Sequence, residues 1–108
     1  RSIMSPDIEH MLTNIKLWLS SKPCGDFVLH SPEPQESRII KVNSFNYNSA
    51  REKIVNYLQS LGTIDNIQYS HRYDCYYIYI MKEDKDYSGY NIVREYTLYD
   101  AFNNTIEI

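Results

Sequence analysis

The sequence predicts a small α+β domain, and three observations carry that expectation. Two segments, Ser5 to Leu19 and Ser49 to Leu61, repeat apolar residues at helical spacing. Several short runs, of which Tyr73 to Met81 is the strongest, group β-branched and aromatic residues as strands do. Eleven of the 108 residues are tyrosines. That exceeds what a core of this size needs, so several should lie on a sheet surface, where an apolar ring with a polar tip is well suited. The length fits one domain, and 43% apolar with 23% charged residues is an ordinary globular balance.

The first helix is signalled from its start. Ser5-Pro6-Asp7 supplies a cap, a proline at the first helical position and an acid in the first turn. Ile8, Met11, Leu12, Ile15 and Leu19 then form a stripe with Trp18 beside it, and Lys22-Pro23 stops the helix. Phe27 to His30 is a short candidate strand. Ser31 to Ser37, with two prolines and two glutamates, reads as an exposed loop. Residues 1–37 are therefore expected to be an N-terminal helix and loop packing on a main domain over residues 38–108.

That domain opens with a strand at Ile39 to Val42. Ser49-Ala50-Arg51-Glu52 has the form of a capping box, and Ile54, Val55, Leu58 and Leu61 follow as an apolar face. Gly62 is expected to end this helix in the left-handed conformation. Thr63 to Tyr69 reads as a strand and Ser70-His71-Arg72 as a turn. Tyr73 to Met81 places Tyr76, Ile78 and Ile80 on one face and Cys75, Tyr77, Tyr79 and Met81 on the other. Lys82 to Gly89 reads as a charged loop. Asn91 to Phe102 is expected to be a third helix, although Tyr96, Thr97 and Tyr99 are weak helix formers and favour a strand as the alternative. Thr105 to Ile108 closes as a short strand.

From Arg38 onward the expected order is βαββαβ, the ferredoxin-like arrangement of an antiparallel sheet, with the N-terminal helix extra to it. The run Ser49 to Tyr69 resembles the first helix and second strand of an RNA-recognition motif, in which an apolar helix ends in glycine and passes into an isoleucine-bearing strand, as Leu61-Gly62-Thr63-Ile64 does. The resemblance implies tests of the family's RNA-reading positions. On the first strand, Lys41 stands where the family carries a stacking aromatic. On the third strand, Tyr73-Asp74 replaces the basic opener, Cys75 takes one aromatic position and Tyr77 the other. A domain so altered is similar to RNA-recognition-like folds of the nucleoporin-53 type, which bind protein and pair with themselves through the sheet. The segment Tyr57 to Ile67 carries that likeness.

Charge and chemistry narrow the function further. The formal net charge is −3, which disfavours holding nucleic acid by general charge attraction. Cys24 and Cys75 have neither CxxC nor zinc-ligand spacing and read as reduced thiols of an intracellular protein, with a disulfide as the alternative. His10, His30 and His71 are scattered, no phosphate loop is present, and Glu83, Asp84 and Asp86 lack the ordered spacing of a calcium loop. No run approaches the roughly 18 apolar residues of a membrane span. The expected function is a non-enzymatic protein-interaction module without cofactor, metal or small-molecule substrate. Its partner would be another protein or a second copy, bound through the tyrosine-bearing sheet inside the cell, with the nucleus a candidate compartment. The alternative is an atypical single-stranded RNA or DNA binder. In either case the candidate binding residues are Lys41, Arg72, Cys75, Tyr77 and Tyr79.

Overall fold

Seven elements follow one another in the computed structural model, which describes residues 6–22, 26–31, 38–41, 47–84 and 90–100. They are α1 (Pro6–Ser21), β1 (Asp26–His30), β2 (Arg38–Lys41), α2 (Tyr47–Ser60), β3 (Thr63–Ser70), β4 (Cys75–Asp84) and β5 (Tyr90–Asp100). The strands form one sheet in the order β2-β1-β5-β4-β3, and every neighbouring pair is antiparallel. The class is α+β, as expected. With strand directions alternating across the sheet, β2 and β3 run parallel at opposite edges. The chain between them must cross the sheet, and α2 makes that crossing.

Both helices lie on the same side. Ile8, Leu12, Ile15, Trp18 and Leu19 of α1 and Ile54, Val55 and Leu58 of α2 are buried in one cluster with Phe27, Leu29, Tyr76, Ile78, Ile80, Tyr96 and Leu98 of the sheet. Burying each large side chain of this set contributes about 1.5–3 kcal/mol. An exposed Lys16–Glu52 pair at 3.8 Å also links the helices, but a surface pair of this kind adds little.

Several expectations change. The third helix at Asn91 to Phe102 is instead strand β5. Its period is two, with Tyr96 and Leu98 fully buried between the outward Glu95, Thr97 and Tyr99, and its aromatic and β-branched residues suit a pleated surface. From Arg38 onward the described elements therefore run βαβββ, and the ferredoxin-like βαββαβ order is not reproduced. The stretch before residue 38 is no appendage to the sheet, since β1 sits inside it, bonded to β2 on one side and β5 on the other. The second helix begins at Tyr47, two residues before the capping box expected at Ser49. The expected strands at Thr105 to Ile108 and at Val42, and Cys24, lie outside the described residues. The expected loop at Lys82 to Gly89 is strand as far as Asp84.

A bulge explains β3. Ile64 and Ile67 are three apart, so a regular strand would turn them to opposite faces. The pairing passes from Ile64↔Ile80 to Asn66↔Tyr79, leaving Asp65 as the extra residue. That insertion brings both isoleucines onto the helix side, where both are buried.

Gly62 answers to space rather than to backbone angle. Its φ lies outside the left-handed range, whereas a Cβ built there would stand 2.4 Å from the Met81 carbonyl oxygen and 2.9 Å from Ile80 Cγ2. The turn from α2 into β3 passes directly against β4.

The turn between β3 and β4 fixes α1. Asp74 has φ 51°, in the left-handed region that Asp and Asn tolerate better than most residues. Its carboxylate accepts hydrogen bonds from Trp18 Nε1 at 2.8 Å and the Tyr69 hydroxyl at 2.5 Å, and it pairs with the Lys22 ammonium. Trp18 packs against Phe27 and Tyr76 with ring centroids 5.4 and 5.3 Å away. Lys22 lies 5.2 Å from the Trp18 ring. Partial burial alone would raise the Asp74 pKa, but hydrogen bonds from Lys22, Tyr69 and Trp18 outweigh it and the net shift is downward. The hydrogen bond to Asp74, followed by burial, pushes Tyr69 up to about 12.

Two predictions follow from these contacts. Gly62→Ala should destabilise the fold by about 1–3 kcal/mol, because backbone must move to admit the methyl group; an unchanged urea midpoint would contradict this. For Asp74 the folded state favours the ionised form, so its contribution is full above the ordinary carboxyl pKa near 4 and is lost as pH falls below it. For Tyr69 the folded state favours the protonated form, so its contribution is full below about pH 10 and is lost as pH rises toward about 12. Asp74→Asn, which keeps the left-handed turn accessible, should cost about 1–3 kcal/mol at pH 7 and flatten both limbs. Fluorescence of Trp18, the single tryptophan, reads the unfolding, and a variant with unchanged acid and alkaline limbs would contradict the assignment.

Candidate functional site: the open face of the sheet

Because both helices cover one side, alternate residues of every strand point to the other. Strand pairing arranges them in rows. Ile39, Val28, Tyr99, Cys75 and Ser70 stand side by side across β2, β1, β5, β4 and β3. The next row holds His30, Thr97, Tyr77 and Gln68, followed by Glu95, Tyr79 and Asn66, and then Val93, Met81 and Thr63. Tyr99, Tyr77 and Tyr79 thus form an oblique stripe over the two central strands, with diagonal neighbours about 7–8 Å apart. All three are half-buried. Ile39 is 60% and Val93 48% exposed, which makes two of the three exposed large apolar side chains of the described structure part of this face.

Tyr77 shares its face of β4 with Cys75, and Tyr79 stands directly opposite Glu95 across the strand pair. Burial first, then hydrogen bonding to Cys75, raises the Tyr77 pKa; for Tyr79 hydrogen bonding to Glu95 comes first and burial second. Both stay neutral donors at physiological pH. Cys75 is a free thiol with no exposed surface. Burial pushes its pKa up, and the hydrogen bond from Tyr77 only partly opposes this. A protonated, inaccessible sulfur has the properties of a packing group rather than of a nucleophile.

The sequence-predicted residues are partly assembled. Cys75, Tyr77 and Tyr79 lie on one face of β4, as the alternation requires. Arg72 lies in the turn leading into that strand, with its guanidinium carbon 5.2 Å from the Tyr73 ring centroid. Lys41 is on edge strand β2, with β1 and β5 between it and β4, so its backbone is roughly 14 Å away at ordinary strand spacing. Reading β5 as a helix concealed Tyr99, Thr97, Glu95 and Val93. The available signal was the alternation of Tyr96 and Leu98 with Thr97 and Tyr99. His10 and His71 are exposed, and no group of three potential metal ligands occurs among the described residues. No described helix is long and apolar enough to cross a membrane.

No protein-family model, curated protein or solved structure matches this chain. The reading of the site therefore rests on its own geometry.

The state of Cys75 is directly testable. In a Cys24→Ser background, the native thiol should react with a disulfide reagent at pH 7 at least about tenfold more slowly than the unfolded chain, as buried cysteines do. Equal rates would show that the sulfur is open to solvent.

Proposed function

We propose that this chain is a non-enzymatic protein-interaction module that docks a partner protein on the open face of its sheet. The observation carrying this reading is the oblique tyrosine stripe left uncovered by both helices, with apolar Val28 and Ile39 near one end and Met81 and Val93 near the other. Tyrosine supplies large, rigid contact area at low entropic cost, and aromatic anchors dominate interface energetics. An exposed face of this composition is the usual mark of a docking surface.

Charge favours protein over nucleic acid. The formally charged side chains described on this side of the sheet are two carboxylates, Glu95 and the exposed Asp65 of the β3 bulge. A single-stranded nucleic acid stacking on Tyr77 and Tyr79 would bring phosphates toward the Glu95 carboxylate, whereas such sites ordinarily line the backbone path with cations. The backbone of Lys41 lies on edge strand β2, three strands from β4.

Selection of a random peptide library displayed on phage against the immobilised chain tests the reading. Enriched peptides should lose at least about tenfold in affinity for a Tyr77→Ser/Tyr79→Ser/Tyr99→Ser variant, given the >1 kcal/mol common for aromatic anchors. The variant's thermal midpoint checks that it remains folded. Enriched peptides that bind parent and variant equally would overturn the proposal. So would Tyr77-dependent binding of mixed single-stranded oligonucleotides at low salt without any face-dependent peptide.

A further inference from the structure

The position of Glu95 constrains what can cover this face. It projects from β5 directly opposite Tyr79 and diagonally from Tyr77, and it is exposed. Its negative charge is felt at both tyrosines. An ionised carboxylate has about four acceptor positions to satisfy. An apolar partner laid over the stripe would bury this charge without compensation, which is strongly unfavourable. Arg94 and Lys82, the described basic residues nearest in the pairing, stand on the alternate, helix-side positions of their strands. A second copy of the same face would bring another Glu95, while Lys41, the described lysine at an open-face position, stands on edge strand β2 with β1 between it and β5.

Taking the docking reading above as its basis, we propose that the open face recognises an arginine side chain of its protein partner, held by Glu95 and the rings of Tyr77 and Tyr79. The chemistry selects arginine over lysine. A guanidinium is planar, so it stacks on an aromatic face while its forked N–H groups reach a carboxylate in two parallel hydrogen bonds. Tyrosine rings attract cations through their quadrupole, and this attraction strengthens as water is excluded. Tyr79 stands directly opposite Glu95, so a guanidinium over its ring lies beside the carboxylate. Tyr99, farther along the stripe, contributes apolar contact to neighbouring residues of the partner. Glu95 thus sets the identity of one partner residue, while the tyrosines supply most of the contact area.

The test is a double-mutant cycle on peptides that depend on the face. Peptides enriched on the parent chain and lost on the triple tyrosine variant are sequenced and synthesised with arginine or with citrulline, its neutral near-isostere. Arginine should recur among them, and its replacement by citrulline should weaken binding to the parent about tenfold, the combined scale of a cation–π contact and a charge-assisted fork. Glu95→Gln should weaken the arginine peptide by a similar factor and leave the citrulline peptide nearly unchanged, because the two substitutions remove the same interaction. An unaltered circular dichroism spectrum confirms that the variant is folded. Face-dependent peptides that lack arginine, tolerate citrulline, or ignore Glu95→Gln would overturn the arginine assignment and leave the docking function standing. A selection that returns no face-dependent peptide would remove the docking function and the arginine assignment with it.

Discussion

Donors from α1 and β3 converge on the Asp74 carboxylate, and the seating of the first helix follows from that convergence. The apolar stripe of α1 explains why the helix is held against the core, but burial is non-directional and would permit the helix to slide or rotate. The Trp18 indole and the Lys22 ammonium supply direction, because both must reach one residue in the β3–β4 turn. The left-handed backbone at Asp74 permits that arrangement. Tyr69 completes it from the sheet side, and its ring lies 5.0 Å from Tyr76. The carboxylate thus joins an otherwise slippery hydrophobic contact to a fixed point of the hairpin.

Seating α1 on that side has consequences for the whole sheet. The edge strands β2 and β3 are parallel, so α2 crosses a face to connect them, and it takes the same face as α1. All large core residues then fall on one set of alternating positions. The bulge at Asp65 corrects the one strand whose isoleucines would otherwise violate this rule. The other face is left without a layer of its own. Its stripe tyrosines are half-buried, and the rows contain rings and methyl groups where a purely solvated sheet would carry charges. Stability and surface chemistry are therefore assigned to opposite sides of the same strands.

The sequence made the helices and β4 legible because each carries a clean period. Ile8, Leu12, Ile15 and Leu19 of the first stripe and Ile54, Val55 and Leu58 of the second are buried as their spacing requires, with Met11 and Leu61 partly buried, and the two-residue alternation of Tyr76, Ile78 and Ile80 correctly placed Tyr77 and Tyr79 together. The misreadings have physical sources. β5 mixes Arg94 and Glu95 into a β-branched and aromatic run, so its local signals compete, and pairing with β1 and β4 decides the outcome. β1 looked peripheral because it follows a helix and precedes a proline-containing stretch, while its interior position depends on long-range contacts. Gly62 suggested a familiar helix ending. Its actual requirement, the close approach of the Met81 carbonyl, lies on another strand and leaves no local trace. Asp74 was invisible as a keystone because its partners are 56, 52 and 5 residues away.

On the proposed reading, the same considerations distinguish the tyrosine stripe from a nucleic-acid surface. An aromatic on a central strand can stack on a base or on a guanidinium, since both present a flat face to the ring. What distinguishes the ligands is the charge that accompanies them. A base is tied to phosphates, which are repelled by a nearby carboxylate. A guanidinium carries its own positive charge, which that carboxylate attracts. At Tyr79 the neighbouring group directly across the strand pair is Glu95. The ring is therefore electrostatically suited to a cation, and the residue that makes the difference comes from β5, the strand that the local sequence pattern left ambiguous.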